Sequence, residues 1–118
     1  MEEKQKIMDN LLQEMRRGTI VLCVLLNTGT ETYGYSLVRT LQDSGIEIEQ
    51  NTLYPLMRRL EKQGFLESIW NTEESRPRKY YKRTPEGTRV TEKLILEWDR
   101  MALIVDEMKN KENDHENS

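Results

Sequence analysis

The 118-residue sequence predicts an α+β fold, mostly α: a winged helix-turn-helix domain followed by a C-terminal dimerisation helix. Three observations predict it. Three stretches carry apolar residues at helical spacing and end in turn chemistry. Two β-rich runs then flank a polar, turn-forming segment. A last helical stretch carries apolar residues along one edge at steps of three and four. The predicted boundaries are residues 1–84 for the winged domain, 85–108 for the dimerisation helix and 109–118 for a disordered tail.

The first helix spans Asp9 to Leu26. Leu11, Leu12, Met15 and Ile20 are spaced along it, and the nearly continuous apolar run from Ile20 to Leu26 predicts burial of its C-terminal end. Asn27-Thr28-Gly29 is the predicted stop, with Gly29 free to take a positive φ. Thr32 is the expected cap of a second helix, Tyr33 to Ser44, which turns Tyr35, Val38 and Leu41 inward and ends at Gly45. Ile46 to Glu49 alternates with period two and predicts a short extended piece.

Asn51 or Thr52 caps a third helix, whose apolar stripe is Leu53, Met57 and Leu60 and which ends at Gln63-Gly64. Pro55 fits if it lies in the first turn, where backbone donors lack intrahelical partners. Residues 65–72 and 78–84 predict a two-stranded hairpin with a polar tip over residues 71–77. Thr84-Pro85-Glu86 then opens a long helix, with Thr as N-cap and Pro at its first position. Its apolar residues are Val90, Leu94, Trp98, Met101, Val105 and Met108, close to a heptad seam. So apolar an edge needs a partner on so small a domain, and the simplest partner is a second copy of the chain. From Lys109 onward no apolar side chain remains, which predicts disorder.

Composition narrows the function. Hydrophobic residues make up 36% and charged residues 33% of the chain, low for a self-sufficient monomer. No apolar run reaches the roughly 18 residues a membrane span needs. The N-terminal residues lack a signal-peptide profile. Cys23 is the only cysteine, so no internal disulfide forms, and its apolar surroundings suit a small core residue. These features predict a cytoplasmic protein. Enzyme chemistry finds no residues to use. His115 is the only histidine and lies in the expected tail, so no Ser-His or Cys-His pair and no zinc site can be built. No glycine-rich phosphate loop occurs, no cofactor is implied, and Glu73-Glu74 sits at a loop tip.

Charge is unevenly spread. Residues 1–50 carry five basic and eight acidic side chains, residues 51–84 eight and four, and residues 85–118 five and nine. The chain is acidic overall, at −3, yet its middle is basic. That pattern predicts a surface for an anionic partner, kept soluble by acidic flanks. A winged helix used to bind an acidic protein is the competing reading; a mobility shift with nonspecific competitor separates the two.

Four segments together carry a family resemblance: GTIVLCVL from Gly18, YGYSLV from Tyr33, NTLYPLMRRLEKQGFL from Asn51 and RKYYKRTPEG from Arg78. The chain resembles the PadR family of bacterial transcriptional regulators from about Met15 to Met101, and its single C-terminal helix resembles the short, LmrR-like subfamily. The resemblance implies a homodimer in which the last helix of each chain packs on the first helix of the other. Leu11, Met15, Val90, Leu94, Trp98, Met101 and Val105 would line that interface. It also implies repression through an inverted-repeat operator in double-stranded DNA. In the subsegment EWDR, Trp98 matches the tryptophan that lines a flat pore at the dimer interface and stacks planar drugs, with Met101 and Met15 as adaptable neighbours. Plain packing of Trp98 in the dimer seam is the alternative.

On this reading the third helix enters the major groove with Asn51, Thr52, Tyr54, Pro55 and Arg58 near its N-terminal end. Arg58 has two available roles, a bidentate contact to guanine or a phosphate contact. Tyr33 and Ser36 can donate to phosphate at the start of the second helix. The wing brings Arg76, Arg78, Lys79, Tyr81 and Lys82 to the backbone. Along the wing strand Arg78, Tyr80 and Lys82 share one face, and Lys79, Tyr81 and Arg83 share the other. Alternation alone leaves open which face meets DNA.

Overall fold

The computed structural model describes residues 1–73 and 75–117. Helix α1 (Glu2–Leu26) leads to a two-residue strand β1 (Thr32–Tyr33), helices α2 (Gly34–Asp43) and α3 (Gln50–Lys62), strands β2 (Leu66–Asn71) and β3 (Arg78–Arg83), and the long helix α4 (Pro85–Asn117). The sheet order is β1-β3-β2, antiparallel throughout. The expected hairpin is thus a three-stranded sheet. Strand β1 was too short to show a period of its own in the sequence.

The core gathers Val24 and Leu25 of α1, Leu37, Val38 and Leu41 of α2, Leu53, Met57 and Leu60 of α3, and Leu66 and Tyr81 of the sheet. Each helix contributes the stripe that its spacing requires. In α2 the inward residue is Leu37, and Tyr35, expected inside, is exposed. Ile48 is buried in the extended α2–α3 linker, with the Gln42 side-chain amide donating to its carbonyl at 2.9 Å. Helices α2 and α3 end at Gly45 (φ 99°) and Gly64 (φ 86°), where residues with a Cβ are strained. Ile46 N–H then donates to Leu41 O at 3.0 Å and Phe65 N–H to Leu60 O at 2.9 Å.

Several local expectations change. Helix α1 begins at Glu2, seven residues before the expected start, because no Gly or Pro precedes Asp9 to break a helix. It stops without a left-handed glycine: Asn27 is the C-cap, and the buried Thr28 hydroxyl donates to Val24 O at 3.0 Å. Thr32 caps nothing; its hydroxyl donates to Asn27 O and Thr30 O. Helix α3 begins at Gln50 behind Glu49, so neither Asn51 nor Thr52 caps it. Pro55 therefore lies beyond the first turn. The missing bond strands the carbonyl of Asn51, an exposed residue that water can serve. The expected tail after Met108 continues α4 to Asn117 instead. Its Lys, Glu and Asn residues tolerate a helix once one is started, and Lys109 pairs with Asp106 at 3.2 Å. Of the expected loop-tip acids, Glu74 lies outside the described residues.

Helix α4 is anchored at its start. Thr84 Oγ1 accepts from Gly87 N–H at 3.0 Å and donates to Gly64 O at 2.6 Å, so the expected N-cap also ties the helix to the end of α3. One residue earlier, at the end of β3, Arg83 Nη1 donates to Leu25 O at 2.7 Å and Arg83 N–H to Thr28 O at 2.7 Å. A cation is thereby placed on the carbonyl end of α1, where the helix dipole favours it.

Candidate nucleic-acid interface

Burial of Leu53, Met57 and Leu60 turns the other side of α3 outward. Asn51, Thr52, Pro55 and Arg58 are all exposed on it. Tyr54 is half-buried. Its ring fits against the start of α2 because residue 34 is glycine: a Cβ there would lie 3.1 Å from the ring. Desolvation first, then the neighbouring tyrosines 33, 81 and 35, raises the Tyr54 pKa, so its hydroxyl stays protonated at neutral pH.

The start of α2 meets the wing at Tyr33. Its ring centroid is 5.8 Å from that of Tyr80 and 6.2 Å from that of Tyr35, both tilted, and the Arg78 guanidinium sits 5.1 Å from its centre. Ser36 and Tyr35 are exposed beside it. The Arg39 pKa is raised, first by a hydrogen bond with Tyr35 and then by the charges of Tyr35 and Asp43. Register explains the grouping: Tyr33 is opposite Tyr80, and Ile69 is opposite Tyr80 on the other side. Three strands thus place these residues on one face.

The register also settles the wing's two faces. Tyr81 is only 5% exposed and belongs to the core, so the expected DNA contact through Tyr81 is corrected: its face is the inner one. Lys79 shares that face and is half-buried, 3.5 Å from Glu61 of α3. Arg78 and Lys82 are exposed on the outer face, and Arg76 is exposed in the tip. Of the eight basic residues in 51–84, Arg58, Arg59, Lys62, Arg76, Arg78 and Lys82 are exposed, whereas Lys79 and Arg83 are turned inward. Tyr35, Arg39 and Tyr80 escaped the expected site. The signal that could have found them is the pairing of Tyr33 with Tyr80, which needs β1.

A second feature lies between α1 and α4. Helices α1 and α4 leave an open groove of about 680 Å³, with Met15 and Leu22 on one wall and Leu94, Trp98, Met101 and Val105 on the other. Trp98 is 51% exposed in it. Glu97 and Asp106 stand at its edge. The Glu97 carboxylate is held below its ordinary pKa by the hydrogen bond from Arg100. Val90, expected at a dimer interface, is half-buried against the chain's own core, and Leu94 packs there too while lining the groove. Leu11 and Met15 are exposed, as are Met101 and Val105. Exposed Leu96 and Leu103 add an apolar strip that the seam in the sequence did not include.

The sequence profile described as "Transcriptional regulator PadR-like family" matches residues 21–93. The chain belongs to this family. Among solved structures, it is similar to a PadR family transcriptional regulator from Eggerthella lenta, at 45% identity and a TM-score of 0.82, covering 92% of this chain and 96% of that one. A Streptococcus transcriptional regulator matches at 31% identity and a TM-score of 0.74, over 80% of this chain and 96% of that one. A transcriptional regulator of Mycobacterium tuberculosis is 32% identical over 93 residues, which is 78% of this chain and 82% of that protein. Membership makes this PadR-like chain a transcriptional regulator, and the family assignment accounts for α2, α3 and the wing together, because the profile spans all three. Among the described residues no helix is long and apolar enough to cross a membrane.

Proposed function

We propose that this PadR-like regulator is a cytoplasmic homodimer that represses transcription by binding an inverted-repeat operator. Helix α3 reads bases through Asn51, Thr52 and Arg58. The start of α2 (Tyr33, Ser36) and the outer wing (Arg76, Arg78, Lys82) bind phosphates. The observation that carries this reading is Tyr33, which links Arg78 and Tyr80 of the wing to the start of α2, beside Tyr54 of α3. These contacts join the start of α2 to the outer face of the wing, which supports a shared role for the two. Phosphate contacts release counterions and supply affinity without sequence preference, while base edges supply specificity.

The exposed apolar residues of α1 and α4 support the dimer, since a second copy would bury Met15, Met101 and Val105. Two half-sites about 34 Å apart on DNA require both protomers. The half-exposed Trp98 ring and the apolar groove around it support a planar aromatic ligand as effector. Such a ligand weakens DNA binding only if it prefers a dimer whose half-site spacing is wrong.

The test is a mobility shift on the gene's own upstream DNA with excess nonspecific competitor. Arg58→Ala should cost about 1–3 kcal/mol on the operator and much less on random DNA. Equal binding to both DNAs by the unsubstituted protein would refute sequence-specific regulation by this surface.

A further inference from the structure

Helix α3 ends in a basic environment, yet one of its last residues is an acid. Glu61 lies beside Arg59 and Lys62, and its charge is disfavoured both by the helix C-terminus and by any DNA nearby. Its surroundings show what it does there. The Ser68 hydroxyl of β2 donates to Glu61 Oε2. Lys79 Nζ of β3 stands 3.5 Å from Glu61 Oε1 and 5.0 Å from the centre of the Tyr81 ring. Glu61 and Lys79 are both about 30% exposed, and the three side chains come from three different elements.

A two-stranded ribbon has little stability of its own, so the direction of a wing depends on what ties it down. Beyond its base this wing is tied to the recognition helix through Glu61. We propose that Glu61, Ser68 and Lys79 form a clamp that fixes the angle between the wing and α3, with Lys79 acting as a positioning residue and not as a phosphate contact. This rests on the DNA-binding reading above. The clamp sets where Arg76, Arg78 and Lys82 meet the backbone once α3 is in the groove. Lys79 spends its charge on Glu61 and lies on the inner face, so it neutralises no phosphate.

Two electrostatic signs make the proposal testable. Removing a carboxylate next to a DNA surface should strengthen binding if only charge matters; removing half of a clamp should weaken it. Operator affinity is measured by fluorescence anisotropy over a range of salt for Glu61→Gln, Lys79→Met, the double variant, Ser68→Ala and Lys82→Ala, each checked for folding by circular dichroism. Glu61→Gln and Lys79→Met should each weaken operator binding on the order of 5-fold, and the double variant should be no worse than either, as expected for coupled residues. Ser68→Ala should shift affinity the same way with no change in charge. The salt slope should stay the same in Lys79→Met and fall by about 0.9 per lost contact in Lys82→Ala. Tighter binding by Glu61→Gln, a reduced slope in Lys79→Met, or no effect from any of the three clamp substitutions would overturn the proposal. Failure of the DNA-binding reading looks different, because Lys82→Ala and Arg58→Ala would then leave binding unchanged as well.

Discussion

Gly87→Ala should destabilise the protein although alanine is the better helix former. Residue 87 lies in the first turn of α4, and exchanging glycine for alanine inside a helix ordinarily stabilises by about 1 kcal/mol. Here a Cβ would meet the Phe65 carbonyl oxygen at 2.0 Å and its carbonyl carbon at 3.0 Å. Ordinary carbon–oxygen contacts begin near 3.3 Å, so the two backbones must separate by about 1.3 Å. No side-chain rotation can relieve this, because the opposing atoms are main chain. That same carbonyl accepts the Thr84 N–H at 3.1 Å, and Thr84 caps α4 while bonding Gly64 O. Separation would therefore strain the joint between the end of α3, the base of the wing and α4. Overpacking costs about 1–3 kcal/mol and more where the backbone must move, which outweighs the propensity gain. With a cost near the top of that range and a gain of about 1 kcal/mol, the expected net loss is about 2 kcal/mol, and each 1 kcal/mol lowers Tm by roughly 3–6 °C in a chain of this size. Thermal unfolding at one fixed protein concentration measures it, because any self-association would make Tm depend on concentration. An unchanged or higher Tm in Gly87→Ala would refute the close approach of α4 to Phe65.

Two further outcomes follow from the groove and from the lone cysteine. Titration with planar cationic dyes should quench Trp98 fluorescence, the quenching should survive Trp70→Phe, and it should vanish in Trp98→Ala; loss of quenching in Trp70→Phe would place the dye on the wing instead. Burial raises the Cys23 pKa, so less thiolate is present at neutral pH than in a free thiol, and the reactive form grows only as pH rises through that raised value. Alkylation of folded protein at pH 8 should therefore be slower than that of a small free thiol, and an equal rate would contradict the burial.

Much of the fold was legible because periodicity reports burial directly. Leu53, Met57 and Leu60 repeat at helical spacing and are the buried stripe of α3. Thr84-Pro85 announced the start of α4, and both residues act there as the local chemistry requires. What escaped was decided by partners distant in sequence. Period two says that Tyr80 and Tyr81 face opposite ways, but only the packing of Tyr81 into the core says which way is in. Tyr35 faces outward because α2 is phased to bury Gly34, Leu37, Val38 and Leu41, and Leu37, two positions on, lies on the opposite side of the helix from it. The Glu61–Lys79 contact spans eighteen positions and three elements, and neither residue has a local reason to be chosen.

Charge shows the same division between what is local and what is not. Counting Lys and Arg located the basic segment, and the count is right about the sign of the surface. It overstates the charge that DNA can meet, since Lys79 is spent on Glu61 and Arg83 on the Leu25 carbonyl at the end of α1. Both inward cations hold the wing: one at the recognition helix, the other at α1, the helix whose apolar residues line the groove with Trp98. The wing is therefore fastened at one end to the element proposed to read bases and at the other to the element proposed to dimerise. Arg83 lies on the same six-residue strand as Arg78 and Lys82, so that strand runs from the end of α1 to the outer wing. Arg83 thus serves as a structural tie between α1 and the wing, a role distinct from a phosphate contact.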